Sequence, residues 1–167
     1  MSKSSPSFTI EVEGVKGSCA AGDKYGSANM AGGKIPVLSC EGACVKGEVA
    51  RLAANMVGKE EPYRRACHGE IMTVPYSSQS EWAKKAEKTV VIDGCFLRCH
   101  GRMLKDIVGG ENLIQFDALS ISKKYTDLYG IDEVPEEERI ETARMVANTA
   151  LARLKEHEQT AEQSVCG

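Results

Sequence analysis

The chain predicts a three-layer α/β fold, a mostly parallel four-stranded sheet with crossover helices on both faces. Two observations carry that expectation. Short apolar runs alternate with segments whose apolar residues recur at the helical period, the order of strand–helix–strand units. Two of the runs, Ile35-Pro-Val-Leu-Ser and Val90-Val-Ile-Asp, show almost no polar alternation, as befits strands covered on both faces. Both runs end alike, in a tight turn, a Cys-x3-Cys pair and an amphipathic helix: Cys40 with Cys44, and Cys95 with Cys99.

Residues 34–39 form the first strand of the main domain. The helix after it shows an inner face of Val45, Val49, Leu52, Ala53 and Met56, with Gly58 as its stop. A second strand falls at residues 63–67 or 70–74. Ser78-x-x-Glu81 has the form of a capping box, each side chain bonding the other residue's free backbone N–H, and opens a helix through Lys88. Thr89–Asp93 is the clearest strand. Leu97, His100, Leu104, Ile107 and Val108 share the next helical face, closed by Gly109-Gly110, and residues 112–117 form a fourth strand. The last helix covers residues 135–157. Pro135 suits a first turn, where no amide donor is needed, and Glu136, Glu137 and Glu138 oppose the positive end of the helix dipole. Its apolar stripe is Ile140, Ala143, Ala147, Ala150, Leu151 and Leu154.

Ahead of this domain (residues 34–158), residues 1–33 read as a lead-in. Phe8-Thr-Ile-Glu-Val12 alternates as an edge strand would. Residues 14–33 are rich in glycine and lack an apolar period, which predicts a loop or flexible tether containing Cys19. Residues 159–167 form a polar tail that carries Cys166.

A chain of 167 residues buries a real core without disulfide help. Its 21 basic and 24 acidic residues give a net charge of −3 with no basic run, and its aromatic content is 5%. Neither an electrostatic footprint nor a stacking platform for nucleic acid is present. The amino terminus lacks the apolar core of a signal peptide, and no stretch suits a bilayer span, so the expected compartment is the cytoplasm. In that reducing setting seven cysteines, an odd number, favour metal or thiol chemistry over structural disulfides.

Zinc takes four donors in a tetrahedron, collected as close pairs plus distant partners. Cys40, Cys44, Cys67, Cys95 and Cys99 lie at strand ends and turns, where sites are built. An isolated free cysteine is more often a small buried hydrophobe, a reading that fits five such placements poorly. Thiols at helix starts also favour the anion a metal needs. Cys19 and Cys166 read as surface thiols. His100 on its helical face is a core histidine or the first substitute ligand, and His68 beside Cys67 is equally ambiguous. Asp93 is a turn cap or a group that orients a ligand, and Gly94 provides a positive φ or a close backbone approach. Arg98 and Arg102 belong to an exposed face or to an electropositive crevice, and His157 to the surface.

Cys40-Glu-Gly42-Ala-Cys44-Val-Lys-Gly47, then Cys67, then Val-Val-Ile-Asp93-Gly94-Cys95 with Cys99, resembles the DGC-domain family, named for its Asp-Gly-Cys triplet. The resemblance covers about residues 35–125 and takes in Ser122-Lys123 after the fourth strand. Zinc binding by four cysteines is ascribed to that family, and by motif those correspond to Cys40, Cys67, Cys95 and Cys99. The chain departs in having Cys44 where the family usually has Ser, and His68-Gly-Glu-Ile where it has a glycine-rich stretch.

A metal ion is thus the expected partner, held for structure, storage, delivery or sensing. No carboxylate pair or His–Glu couple marks a hydrolytic zinc enzyme, and no catalytic residue is assigned. Two alternatives stay open. A thiol-dependent enzyme would use Cys40 and Cys44 for redox or oxyanion chemistry, with Lys46 standing where phosphatase-like loops need an arginine fork. An iron–sulfur cluster would also accept four thiolates.

Overall fold

The computed structural model describes residues 7–165. The strands are β1 (Ile35–Ser39), β2 (Tyr63–Arg65), β3 (Thr89–Asp93) and β4 (Leu113–Asp117). They pair in parallel in the order β2-β1-β3-β4, with Val37 opposite Val90 and Val90 opposite Ile114. The helices are α1 (Ala20–Ala31), α2 (Val45–Val57), α3 (His68–Thr73), α4 (Ser78–Lys85), α5 (Cys99–Val108), α6 (Ala118–Ser122) and α7 (Glu136–Val165).

Side chains alternate across a strand, so the apolar runs feed two cores at once. Val37, Val90, Ile92 and Phe116 meet α2 and α7 through Val49, Ala53, Ala143, Ala147 and Leu154. Leu38 and Val91 point the other way, to Ile71, Trp82, Leu104 and Val108 on α3, α4 and α5. All five β3 residues are buried, which explains why that strand is so legible in the sequence. This is the expected three-layer α/β architecture, with every strand parallel.

The second strand lies at the first of the two expected places, and residues 68–73 are helical. The α4 cap sits one residue early: Ser77 Oγ accepts the Ser80 N–H at 3.2 Å, while Glu81 pairs with Lys85 at 2.8 Å. Ser78 N instead donates to Asp23 Oδ1 at 2.7 Å. The helix stops at Lys85 because the Ala86 backbone turns extended. α7 continues past His157 to Val165, so residues 159–165 of the expected tail are helical. Cys166 lies outside the described residues.

The lead-in differs most. Residues 20–31 form α1, not a tether, and residues 8–12 are exposed and pair with no strand. The glycines that suggested a loop let α1 lie close to α4: a Cβ on Gly26 would stand 2.8 Å from the Ser78 backbone. Tyr25 meets Trp82 edge-on, with ring centroids 6.2 Å apart. Tertiary contact overrides the weak local propensity.

Candidate functional site

Strand order reverses between β1 and β3. The loop after β1 leads to a helix on one face, and the loop after β3 to a helix on the other. Such a switch point leaves a crevice beyond the carboxyl ends of its two strands. Cys40 and Cys95 stand on its two margins.

Backbone contacts interlock the two loops. Cys40 N donates to Ile92 O at 2.8 Å, and Cys40 Sγ accepts N–H groups from Gly42, at 3.3 Å, and from Gly94. Gly94 lies directly on the first turn of α2. A Cβ there would stand 2.9 Å from Gly47 N and 3.0 Å from the Lys46 carbonyl carbon and oxygen. Gly47 abuts Gly42 in turn, its would-be Cβ 2.4 Å from Gly42 O. None of the three has a left-handed φ, so close approach is what requires glycine here. Burial pushes the Cys40 thiol up, and the Gly42 and Gly94 amides pull it partly back.

The other thiols sit at helix starts and turns. Cys44 is the half-buried N-cap of α2, and Cys67 the exposed N-cap of α3, its own N–H held by Gln79 Oε1 at 3.1 Å. Half-buried Cys95 opens a turn closed by Arg98 N donating to Cys95 O at 3.0 Å, and Arg98 adopts a left-handed φ of 46°. Cys99 is exposed at the first position of α5. Cys19, in the supposed tether, is the exposed N-cap of α1, its Sγ accepting the Gly22 N–H at 3.3 Å. As these side chains stand, no three His, Cys, Asp or Glu among the described residues form a group that could hold a metal ion.

Asp93 is buried and acts as a cap. Oδ1 accepts the His100 N–H and Oδ2 the Gly101 N–H, both at 3.1 Å, and Gln115 Nε2 adds a bond at 3.3 Å. The carboxylate thereby caps α5 from the neighbouring strand, because Arg98 at the N-cap offers no side-chain bond. The position of the Cys99-His100 step follows from that cap. Burial pushes the Asp93 carboxyl up, while the three donors favour its anion.

One cluster was missed. The tripeptide Cys-His-Gly occurs at 67–69 and again at 99–101, a repeat visible in the sequence. The packing of α3 on α5 brings the two imidazoles together, with ring centroids 4.7 Å apart and planes at 73°. His68 Nε2 and His100 Nδ1 are buried with no hydrogen-bond partner. Burial first, then the His100 and Arg65 charges, pushes His68 down to about 3, so its ring is neutral near pH 7. Beside it Glu41 Oε1 accepts from Ser39 Oγ at 2.8 Å and from Arg65 Nη2 at 3.3 Å.

The remaining candidates lie elsewhere. Lys46 Nζ donates to the carbonyls of Tyr125, Thr126 and Leu128 at 3.1, 3.3 and 2.9 Å, so it clamps the loop after α6. An ammonium engaged in that way is poorly placed to receive an oxyanion at Cys40. Arg98 and Arg102 are exposed, the latter tied by Nε to Leu97 O at 2.9 Å, and His157 is exposed on α7. Ser122 closes α6, and its Oγ accepts the Lys124 N–H at 3.3 Å.

Thiols and neutral imidazoles are the donors that zinc and other borderline cations prefer, so the residues at this edge fit such an ion by type. The two orphaned ring nitrogens strengthen the fit, since buried polar atoms ordinarily have a partner. Neither a curated protein nor a solved structure matches this chain. The family model of the DGC domain matches residues 36–146, from β1 into α7 and across every loop of the crevice. The chain belongs to the DGC-domain family.

Proposed function

We propose that this protein binds a metal ion, zinc in the first instance, through thiolates drawn from Cys40, Cys67, Cys95 and Cys99. The purpose is structural, or the storage, delivery or sensing of the metal, in a protein of the cytoplasm. The observation that supports this reading most is the interlocking of the β1 and β3 turns, which holds Cys40 against the Gly94–Cys95 step at a switch-point crevice. A zinc ion would supply positive charge that neutralises gathered thiolates. The chain supplies the framework: Gly42 and Gly94 donate N–H groups to the Cys40 sulfur, and Asp93 fixes the start of α5. Cys44, half-buried at its cap, is the spare thiol.

Elemental analysis of protein purified without added metal tests the proposal. A colourless protein carrying near-stoichiometric zinc is expected, with the metal lost in the Cys67→Ser/Cys99→Ser double variant and kept in Cys44→Ser. A brown protein containing iron and acid-labile sulfide would replace zinc with an iron–sulfur cluster. Metal-free protein, or full retention in the double variant, would sink the proposal.

A further inference from the structure

We infer that His68 and His100 are ligands of this ion, completing with Cys67 and Cys99 a shell of two nitrogens and two sulfurs. The inference rests on the metal-binding proposal and names the donors of that site. It begins from an imbalance. His68 Nε2 and His100 Nδ1 are both shielded from solvent and unpartnered, on rings only 4.7 Å apart. One orphaned polar atom in a folded interior calls for an explanation, and two on adjacent imidazoles call for a shared one. A cation that accepts nitrogen lone pairs supplies it.

The surroundings agree. A ligating histidine usually presents its second ring nitrogen to a carboxylate, which fixes the tautomer and turns the first nitrogen toward the metal. His68 Nδ1 faces Glu41 Oε1 at 3.9 Å, and Glu41 is itself held by Ser39 and Arg65. The side chain of His68 is 12% exposed, so its ring is seated among these groups. His100 is fixed through its main chain instead, its backbone N–H donating to Asp93 Oδ1 at 3.1 Å.

The choice of sulfurs follows from the chain. Each imidazole is preceded by a cysteine at a helix start, through the repeated Cys-His-Gly step. Cys67 and Cys99 are exposed, and the Cys67 thiol makes no capping bond, so these side chains can turn toward the ion. The Cys40 sulfur already accepts two amide N–H groups and packs against the core. Binding takes the two sulfurs as thiolates, so each thiol gives its proton to solvent as the ion is taken up.

X-ray absorption at the zinc edge, on the full chain loaded with one equivalent of zinc, tests the shell directly. Two sulfurs at about 2.3 Å and two nitrogens at about 2.0 Å are expected. The His68→Gln/His100→Gln variant should bind zinc more weakly by more than the roughly 10–100-fold that outer-shell partners contribute. An all-sulfur shell in the unaltered protein, a measurement that needs no variant to fold, would overturn the nitrogen ligands and leave thiolate binding intact. So would wild-type zinc affinity in the double variant. Failure of the unaltered chain to take up zinc would overturn the metal-binding proposal itself.

Discussion

Replacing Gly94 by alanine tests whether the two cysteine turns are locked by steric fit. The added Cβ would meet three backbone atoms of Lys46 and Gly47 at 2.9–3.0 Å, well inside ordinary contact. None belongs to a flexible side chain. α2 cannot simply retreat, because Val45, Val49, Ala50 and Ala53 are fully buried behind it. Overpacking of this kind costs about 1–3 kcal/mol. For a domain of this size that corresponds to a fall of about 2–12 °C in melting temperature. The shift should also part the Gly94 N–H from the Cys40 sulfur. Trp82, the single tryptophan, is 1% exposed, so its fluorescence follows urea or thermal unfolding without a label. Gly14→Ala serves as control, since nothing lies within 4 Å of its would-be Cβ. Were Gly94→Ala to melt within about 1 °C of the unaltered protein, far less than overpacking demands, the account of interlocked turns would be wrong.

Other perturbations probe neighbouring links. Asp93→Ala leaves the His100 and Gly101 amides without their acceptor and should cost about 1–3 kcal/mol in urea unfolding, with hydrogen exchange accelerating first at the start of α5. Lys46→Met removes the ammonium that binds three carbonyls. Residues 125–128 should then exchange faster and stability fall by about 1–3 kcal/mol, and an unchanged exchange pattern would contradict the clamp. In metal-free protein the depressed His68 value has a definite sign. The unfolded chain takes up a proton near 6.5 that the folded state refuses until about 3, so stability present above pH 6.5 is lost as pH falls through that window. His68→Gln should flatten this slope, and parallel stability profiles for the two proteins across the window would count against the burial argument.

β3 was legible because all five of its residues, Thr89–Asp93, are buried, so both of its faces are covered. The cysteine turns were legible for a related reason, since polarity changes abruptly where a strand leaves the core. α1 was not legible, because Gly22, Gly26, Ser27 and Asn29 carry no apolar period and earn their helix only by lying on α4. Its stabilising bonds, such as Asp23 to the Ser78 amide, join residues 55 positions apart. The His68–His100 contact eluded the reading for the same reason. The repeated tripeptide was on view, but which way its histidines face depends on how α3 meets α5.

The family segment starts at Pro36 and breaks off at Val146, inside α7. Ala147, Ala150 and Leu154, which complete the core over α2, lie beyond it, and Tyr25, the aromatic neighbour of Trp82, lies before it. A recombinant fragment trimmed to those borders would bare greasy surface on both sides of the sheet and should aggregate or half-unfold. The limits of a shared sequence profile are thus not the limits of an autonomous folding unit, and biochemistry on this domain calls for the whole polypeptide.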